Sequence, residues 1–146
     1  MMRRREATGG HPAVLAVLSA RRHRVTQQRR DIIAEFARMG RYATAQELHE
    51  RLRARKMSIG LATVYRTLEM LREVGAASTQ VQAKGEAAYL FCPIAHHHHA
   101  VCVKCGQVAD VACRRVMRFE RELPAELRFR LTQHRMEFFG TCARCS

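Results

Sequence analysis

Acidic side chains are scarce in this chain: 13 aspartates and glutamates stand against 26 lysines and arginines in 146 residues, a formal charge of +13. So large an imbalance points to a polyanionic partner, either nucleic acid or an anionic membrane surface. Long apolar runs are also missing. No stretch approaches the ~20 apolar residues of a membrane span, which excludes a spanning helix. The chain has no internal repeat and no low-complexity linker, which excludes solenoids and tethered arrays. It contains no HExxH or HxE…PCxxC motif, and no acid adjoins its histidine run in sequence. A zinc hydrolase or deaminase would need such a general base, so the chain reads as a non-enzyme.

The length suits one ordinary domain or two small ones. Residues 1–75 hold 16 basic and 7 acidic side chains, and residues 76–146 hold 10 and 6, so the N-terminal half is the expected polyanion binder. MMRRREATGG (1–10) reads as a disordered basic arm. Arg3-Arg4-Arg5 followed by PAVLAVLSA (12–20) mimics a signal peptide, but the apolar run is short for one and two more arginines follow at once. Its Leu/Val spacing fits a short amphipathic helix instead. The expected compartment is the cytoplasm, where the six cysteines stay reduced.

Thr26 is a good N-cap for a helix whose apolar positions, Ile32, Ile33, Phe36 and Met39, run to Gly40. Thr44 and Glu47 form a capping box for a second helix carrying Leu48 and Leu52. SIGLATVYRTLEMLREVG (58–75) places Leu61, Val64, Leu68, Leu71 and Val74 on one stripe, with Thr63, Tyr65, Arg66 and Glu69 off it. Two short runs, 76–82 and 87–92, flank Lys84-Gly85-Glu86 as a hairpin. Three helices and a hairpin describe a winged helix-turn-helix. Beyond Pro93, strand-like runs at 99–103, 107–111 and 136–140 surround a helical segment at about 114–123 that should stop before Pro124. The fold class is therefore α+β, a winged helix (11–92) followed by a small α/β domain (93–146).

Cys102-x2-Cys105 and Cys142-x2-Cys145 are two short knuckles that together supply four thiolates. That set closes a tetrahedral zinc site with no place for water, so the site is structural and ties the end of the domain to its start. The histidine run 96–99 serves two further sites. On an extended chain, period-2 alternation sends His96 and His98 to one face and His97 and His99 to the other. Each pair lacks two ligands. Cys92 could supply a thiolate to one pair, and His134 an imidazole to the other.

Together, IGLATVYRTLEML (59–71), the hairpin, HHHHAVCVKCG (96–106) and CARC (142–145) resemble the ferric uptake regulator family of bacterial metal-responsive repressors. RVTQQR (24–29) matches the family's second helix start, and the resemblance covers the chain from about Arg24 onward. It implies a homodimer with an N-terminal winged helix and a C-terminal dimerisation domain, acting on a near-palindromic double-stranded DNA operator. The recognition helix would be 60–74, with Tyr65 and Arg66 facing the major groove and Thr63 beside them. Arg24 and Arg29 would lie near the minor groove or backbone. The regulatory metal site would be Cys92, His97 and His99, and the second site His96, His98 and His134. The family's carboxylate ligands align with Ser78 and Met117, so this sequence departs from the pattern at both sites. Ser78, water or Glu86 are the substitutes at the first; Glu120, Asp110 or Cys113 at the second, where Glu120 is assigned. The implied function is metal-activated repression of metal-uptake genes. Zinc is the expected co-repressor, because a thiolate with imidazoles is a borderline-soft set. Mn²⁺ or Fe²⁺ sensing is the alternative within the family, and a metal-independent DNA binder with structural zinc the alternative outside it.

Overall fold

The computed structural model describes residues 11–92, 97–115, 121–122, 124, 126–130, 132 and 134–146. The arm at 1–10 and the segments 93–96 and 116–120, which include His96, Met117 and Glu120, lie outside the described residues. The chain forms two compact units that meet in sequence between residues 94 and 95.

The first unit is a winged helix. Helix α1 (His11–Ala20) buries Val14 and Leu18 completely, so PAVLAVLSA is a core helix. Helix α2 (Gln27–Met39) starts where Thr26 accepts a hydrogen bond from the Arg29 N–H at 3.3 Å, and it buries Ile32, Ile33, Phe36 and Ala37. The two-residue strand β1 (Ala43–Thr44) leads into helix α3 (Ala45–Ala54). At its start Thr44 accepts from the Glu47 N–H at 3.2 Å, and the Glu47 carboxylate accepts from the Thr44 N–H at 2.9 Å. Two otherwise orphaned donors are thereby satisfied. Helix α4 (Leu61–Glu73) buries Val64, Thr67, Leu68, Met70 and Leu71. It ends at Gly75, whose φ of +77° is the left-handed conformation that glycine adopts without steric cost. Strands β2 (Ala77–Val81) and β3 (Ala87–Phe91) form the antiparallel wing, and β1 pairs with the other edge of β3. Strand β1 is too short to show any periodicity, and the sequence pattern does not reveal it. Phe36 meets Phe91 edge-on with ring centroids 5.9 Å apart, joining α2 to the sheet.

Beneath these helices Glu35 is 1 % exposed and receives hydrogen bonds from Arg51 at 2.8 Å, Arg55 at 2.7 Å and Arg38 at 3.2 Å. Burial opposes its charge, but the three guanidinium donors outweigh that and hold the carboxyl below its ordinary range. The folded value lies below the unfolded one. Its contribution to stability is therefore complete above the unfolded value of about 4.3 and is lost as pH falls through the folded value. Glu35→Ala is expected to cost about 2–3 kcal/mol in urea unfolding at neutral pH. The deficit should shrink below about pH 4; a deficit that does not change with pH would assign the loss to packing alone.

In the second unit, β4 (His97–Cys102) pairs antiparallel with β5 (Val108–Ala112) and parallel with β6 (Glu137–Gly140), in the order β5-β4-β6. Strand β4 begins two residues before the expected start at 99, within the histidine run itself. Most of the helix expected over 114–123 falls on residues 116–120 and 123, outside the described residues. A 3-10 turn occupies Cys113–Arg115, and among the described residues 121, 122, 124, 126 and 127 are helical, so Pro124 is itself helical rather than lying beyond a helix end. Proline lacks only an N–H that a first helical turn leaves unpaired, so it suits a start as well as a stop.

Candidate metal centres

Both knuckles of the four-cysteine set turn tightly at the mouth of the second sheet. Backbone bonds close them: Gly106 N–H to Cys102 carbonyl at 2.9 Å in the first, and Cys145 N–H to Cys142 carbonyl at 2.8 Å in the second. The parallel register places Cys102 opposite Gly140, which delivers Cys142 and Cys145 to the first knuckle. All four Sγ atoms lie within 4.8 Å of one another, and Cys105 and Cys142 are 3.7 Å apart. That is far beyond a disulfide's ~2.05 Å. It matches the edge of about 3.8 Å of a tetrahedron whose zinc–sulfur bonds are ~2.3 Å. Backbone N–H groups of Cys142 and Cys105 pull the Cys102 thiol down to about 6, while hydrogen bonding from the neighbouring thiols pushes Cys145 up to about 12. The Arg144 N–H lowers the Cys142 thiol as well, so each knuckle holds one thiol that ionises more readily than usual, and a divalent cation would offset the negative charge that Cys145 resists. The set fits structural zinc.

Along β4 the pleat sorts the histidines as their spacing predicts. His97 and His99 share one face, with Nε2 atoms 3.0 Å apart and rings edge-on at 4.8 Å. His99 is buried and His97 half-buried. Two carboxylates stand beside them, although the sequence places no acid next to the run. Asp110 of β5, the cross-strand partner of His99, has Oδ1 3.8 Å from His97 Nε2. Glu137 of β6, also opposite His99, has Oε1 3.7 Å from His99 Nδ1. A carboxylate at Nδ1 favours the tautomer that leaves Nε2 free for a metal. In the first unit Cys92 is buried at the end of β3, with its Sγ 3.5 Å from the Leu90 carbonyl. Ser78 sits in β2 with its hydroxyl 3.2 Å from the Tyr42 hydroxyl, and Glu86 is exposed in the wing turn.

His98 projects from the other face of β4 and is 1 % exposed. Its Nε2 lies 3.1 Å from that of His134, and His134 Nε2 lies 3.8 Å from Cys113 Sγ. Of the residues assigned to this second site, His96 and Glu120 lie outside the described residues, while His98 and His134 come together. Cys113, a further candidate for this site, joins them.

On α4 the buried stripe leaves Tyr65 and Arg66 exposed and Thr63 half-buried. Glu69 is engaged by the Tyr89 hydroxyl at 2.7 Å and by Arg72. Arg24 is exposed, and Arg29 donates from Nη1 to the Arg24 carbonyl, so it holds that loop in place. Among the described residues no helix is long and apolar enough to cross a membrane.

Comparison with known proteins agrees with this geometry. The model of the ferric uptake regulator family matches residues 20–139. The zinc uptake regulation protein of Mycobacterium tuberculosis is 38 % identical over 128 residues, covering 88 % of this chain and 98 % of that one. The crystal structure of the Vibrio cholerae ferric uptake regulator superposes with a TM-score of 0.66 at 27 % identity, over 87 % of this chain and 98 % of the other. A zinc uptake regulator complexed with zinc and DNA shares the fold, with a TM-score of 0.70 at 24 % identity over 96 % and 95 % of the two chains.

Proposed function

Since this chain belongs to the ferric uptake regulator family, we propose that it is a zinc-activated transcriptional repressor of metal-uptake genes, binding a near-palindromic DNA operator as a cytoplasmic homodimer. The observation that carries the zinc reading is the convergent Nε2 pair of His97 and His99, with a cysteine five residues upstream of His97 in sequence. Two imidazoles and a thiolate form a borderline-soft donor set that favours zinc over manganese. Cys92, His97 and His99 are the regulatory ligands, and Cys102, Cys105, Cys142 and Cys145 the structural ones. A regulatory cation supplies free energy that differs between two arrangements of the chain, and so shifts a pre-existing equilibrium toward the DNA-binding one. This chain's residues do the rest: Tyr65 and Arg66 read bases, Thr63 supports them, and Arg24 meets the backbone while Arg29 positions it. The exposed Phe138, Phe139 and Val103 of the second unit offer apolar surface to a second copy.

The test is operator binding by fluorescence anisotropy, on protein that keeps its four-cysteine zinc, titrated with buffered Zn²⁺, Mn²⁺ and Fe²⁺. Zn²⁺ alone should restore tight binding at very low free concentration, and Cys92→Ser should weaken that response at least 10-fold, the loss expected when a metal ligand or its orienting partner is removed. The oxygen of Asp110 beside His97 favours a second reading, manganese or iron sensing through a nitrogen/oxygen set. An equal response to Mn²⁺ or Fe²⁺, unaffected by Cys92→Ser, selects that reading, and binding indifferent to every metal leaves only a structural-zinc DNA binder.

A further inference from the structure

We propose that His98, Cys113 and His134 form a separate metal site in which Cys113 supplies the anionic ligand, as a thiolate where the family pattern expects a carboxylate. Three segments deliver the donors. His98 comes from the face of β4 opposite the regulatory pair, Cys113 from the turn that closes β5, and His134 from the approach to β6. The three ligand atoms lie within 4.8 Å of one another.

The distances fit a metal. With zinc–nitrogen bonds of about 2.0–2.1 Å and a zinc–sulfur bond of ~2.3 Å, tetrahedral edges are about 3.3 Å between nitrogens and about 3.6 Å between nitrogen and sulfur. The observed edges are 3.1 Å and 3.8 Å. A hydrogen bond between the imidazoles could explain the first distance, but it does not call for a sulfur atom at the second. His98 is almost fully buried, so a metal held there would be shielded from water. The fourth position falls to water.

Exchanging oxygen for sulfur changes what the site accepts. A carboxylate with imidazoles suits Mn²⁺ and Fe²⁺ as well as Zn²⁺, whereas a thiolate shifts preference toward zinc and other borderline or soft ions. Thiolate ligation also makes occupancy sensitive to proton concentration and to modification of the sulfur. This assignment does not rest on the zinc-sensing reading, since it concerns different residues and can be tested without DNA.

The test uses full-length protein that retains its four-cysteine zinc and carries Cys92→Ser, so that Cys113 is the sole thiol outside the structural set. Titration with Co²⁺ should produce a near-ultraviolet thiolate-to-cobalt charge-transfer band, and adding Cys113→Ser should remove it. Zinc content should fall by one equivalent in His134→Ala. In protein without these substitutions, saturating Zn²⁺ should slow alkylation of Cys113 at least 10-fold, a readout that needs no variant to fold. A band that survives Cys113→Ser, or alkylation indifferent to zinc, overturns the proposal; cobalt bound without any sulfur band reduces it to an imidazole site.

Discussion

Replacing Cys142 by serine is expected to release one tightly held zinc per chain and to unfold the second unit while the winged helix stays intact. The magnitude follows from the geometry. Four thiolates at tetrahedral spacing from two knuckles 36 residues apart close the unit on itself. In zinc-finger peptides such ligation contributes about 10–16 kcal/mol. Among its described residues the second unit has three short strands and few buried side chains, Val108, Ala109, Cys102, His98 and His99 among them. A core that thin supplies only a few kcal/mol, so loss of the metal exceeds its stability. Zinc content by mass spectrometry and residue-resolved hydrogen exchange decide the matter. Protection should vanish in β4, β5 and β6 and persist in α2 and α4, whereas a variant that keeps its zinc and its protection in β4 contradicts the structural assignment.

The second large effect belongs to α4. Arg66→Ala is expected to weaken operator binding about 30-fold or more at fixed salt. Each lost base contact costs about 1–3 kcal/mol, and a dimer loses two. Tyr65→Ala should act similarly through lost contact with a thymine methyl. Salt dependence distinguishes the roles. A base-reading Arg66 leaves the slope of log K against log salt nearly unchanged and relaxes specificity at one position, while a phosphate contact lowers the slope by about 0.9 per neutralised charge. Stability should not move in either variant, because both side chains lie off the buried stripe of α4. Unchanged binding in Arg66→Ala would remove this residue from the interface.

Features encoded locally were legible in the sequence, and features created by pairing were not. The capping box at Thr44 and Glu47, the stripe of α4 and the CxxC turns each depend on residues within one or two turns of chain. The histidine alternation needed only the assumption that the run is extended. Cys113 could be listed as a substitute ligand but not preferred, because nothing near it in sequence points to His98. That neighbourhood arises from the β4–β5 register, which sets His98 against Val111, two residues before the thiol. Asp110 was offered to the second site and stands instead beside His97, and Glu137 was not named at all, for the same reason: both face His99 across strands and sit far from it along the chain. Strand β1 was hidden by its two-residue length, and Pro124 was read as a stop because proline marks both ends of helices.

The placement of the histidine run in a paired strand also bears on how such a gene tolerates errors in copying. Deleting any one of the four consecutive histidine codons yields the same shortened run. Downstream pairing to β5 and β6 holds the register, since a one-residue slip would reverse every side chain of β4. The remaining three histidines would then refill positions 97, 98 and 99, and the missing residue would be taken from the four that separate Cys92 from β4. A fifth histidine would be absorbed in the same place. Length changes in the run are thus buffered within the sheet and transferred to the spacing between Cys92 and β4, so natural variation in histidine number is predicted to alter metal response before it alters folding.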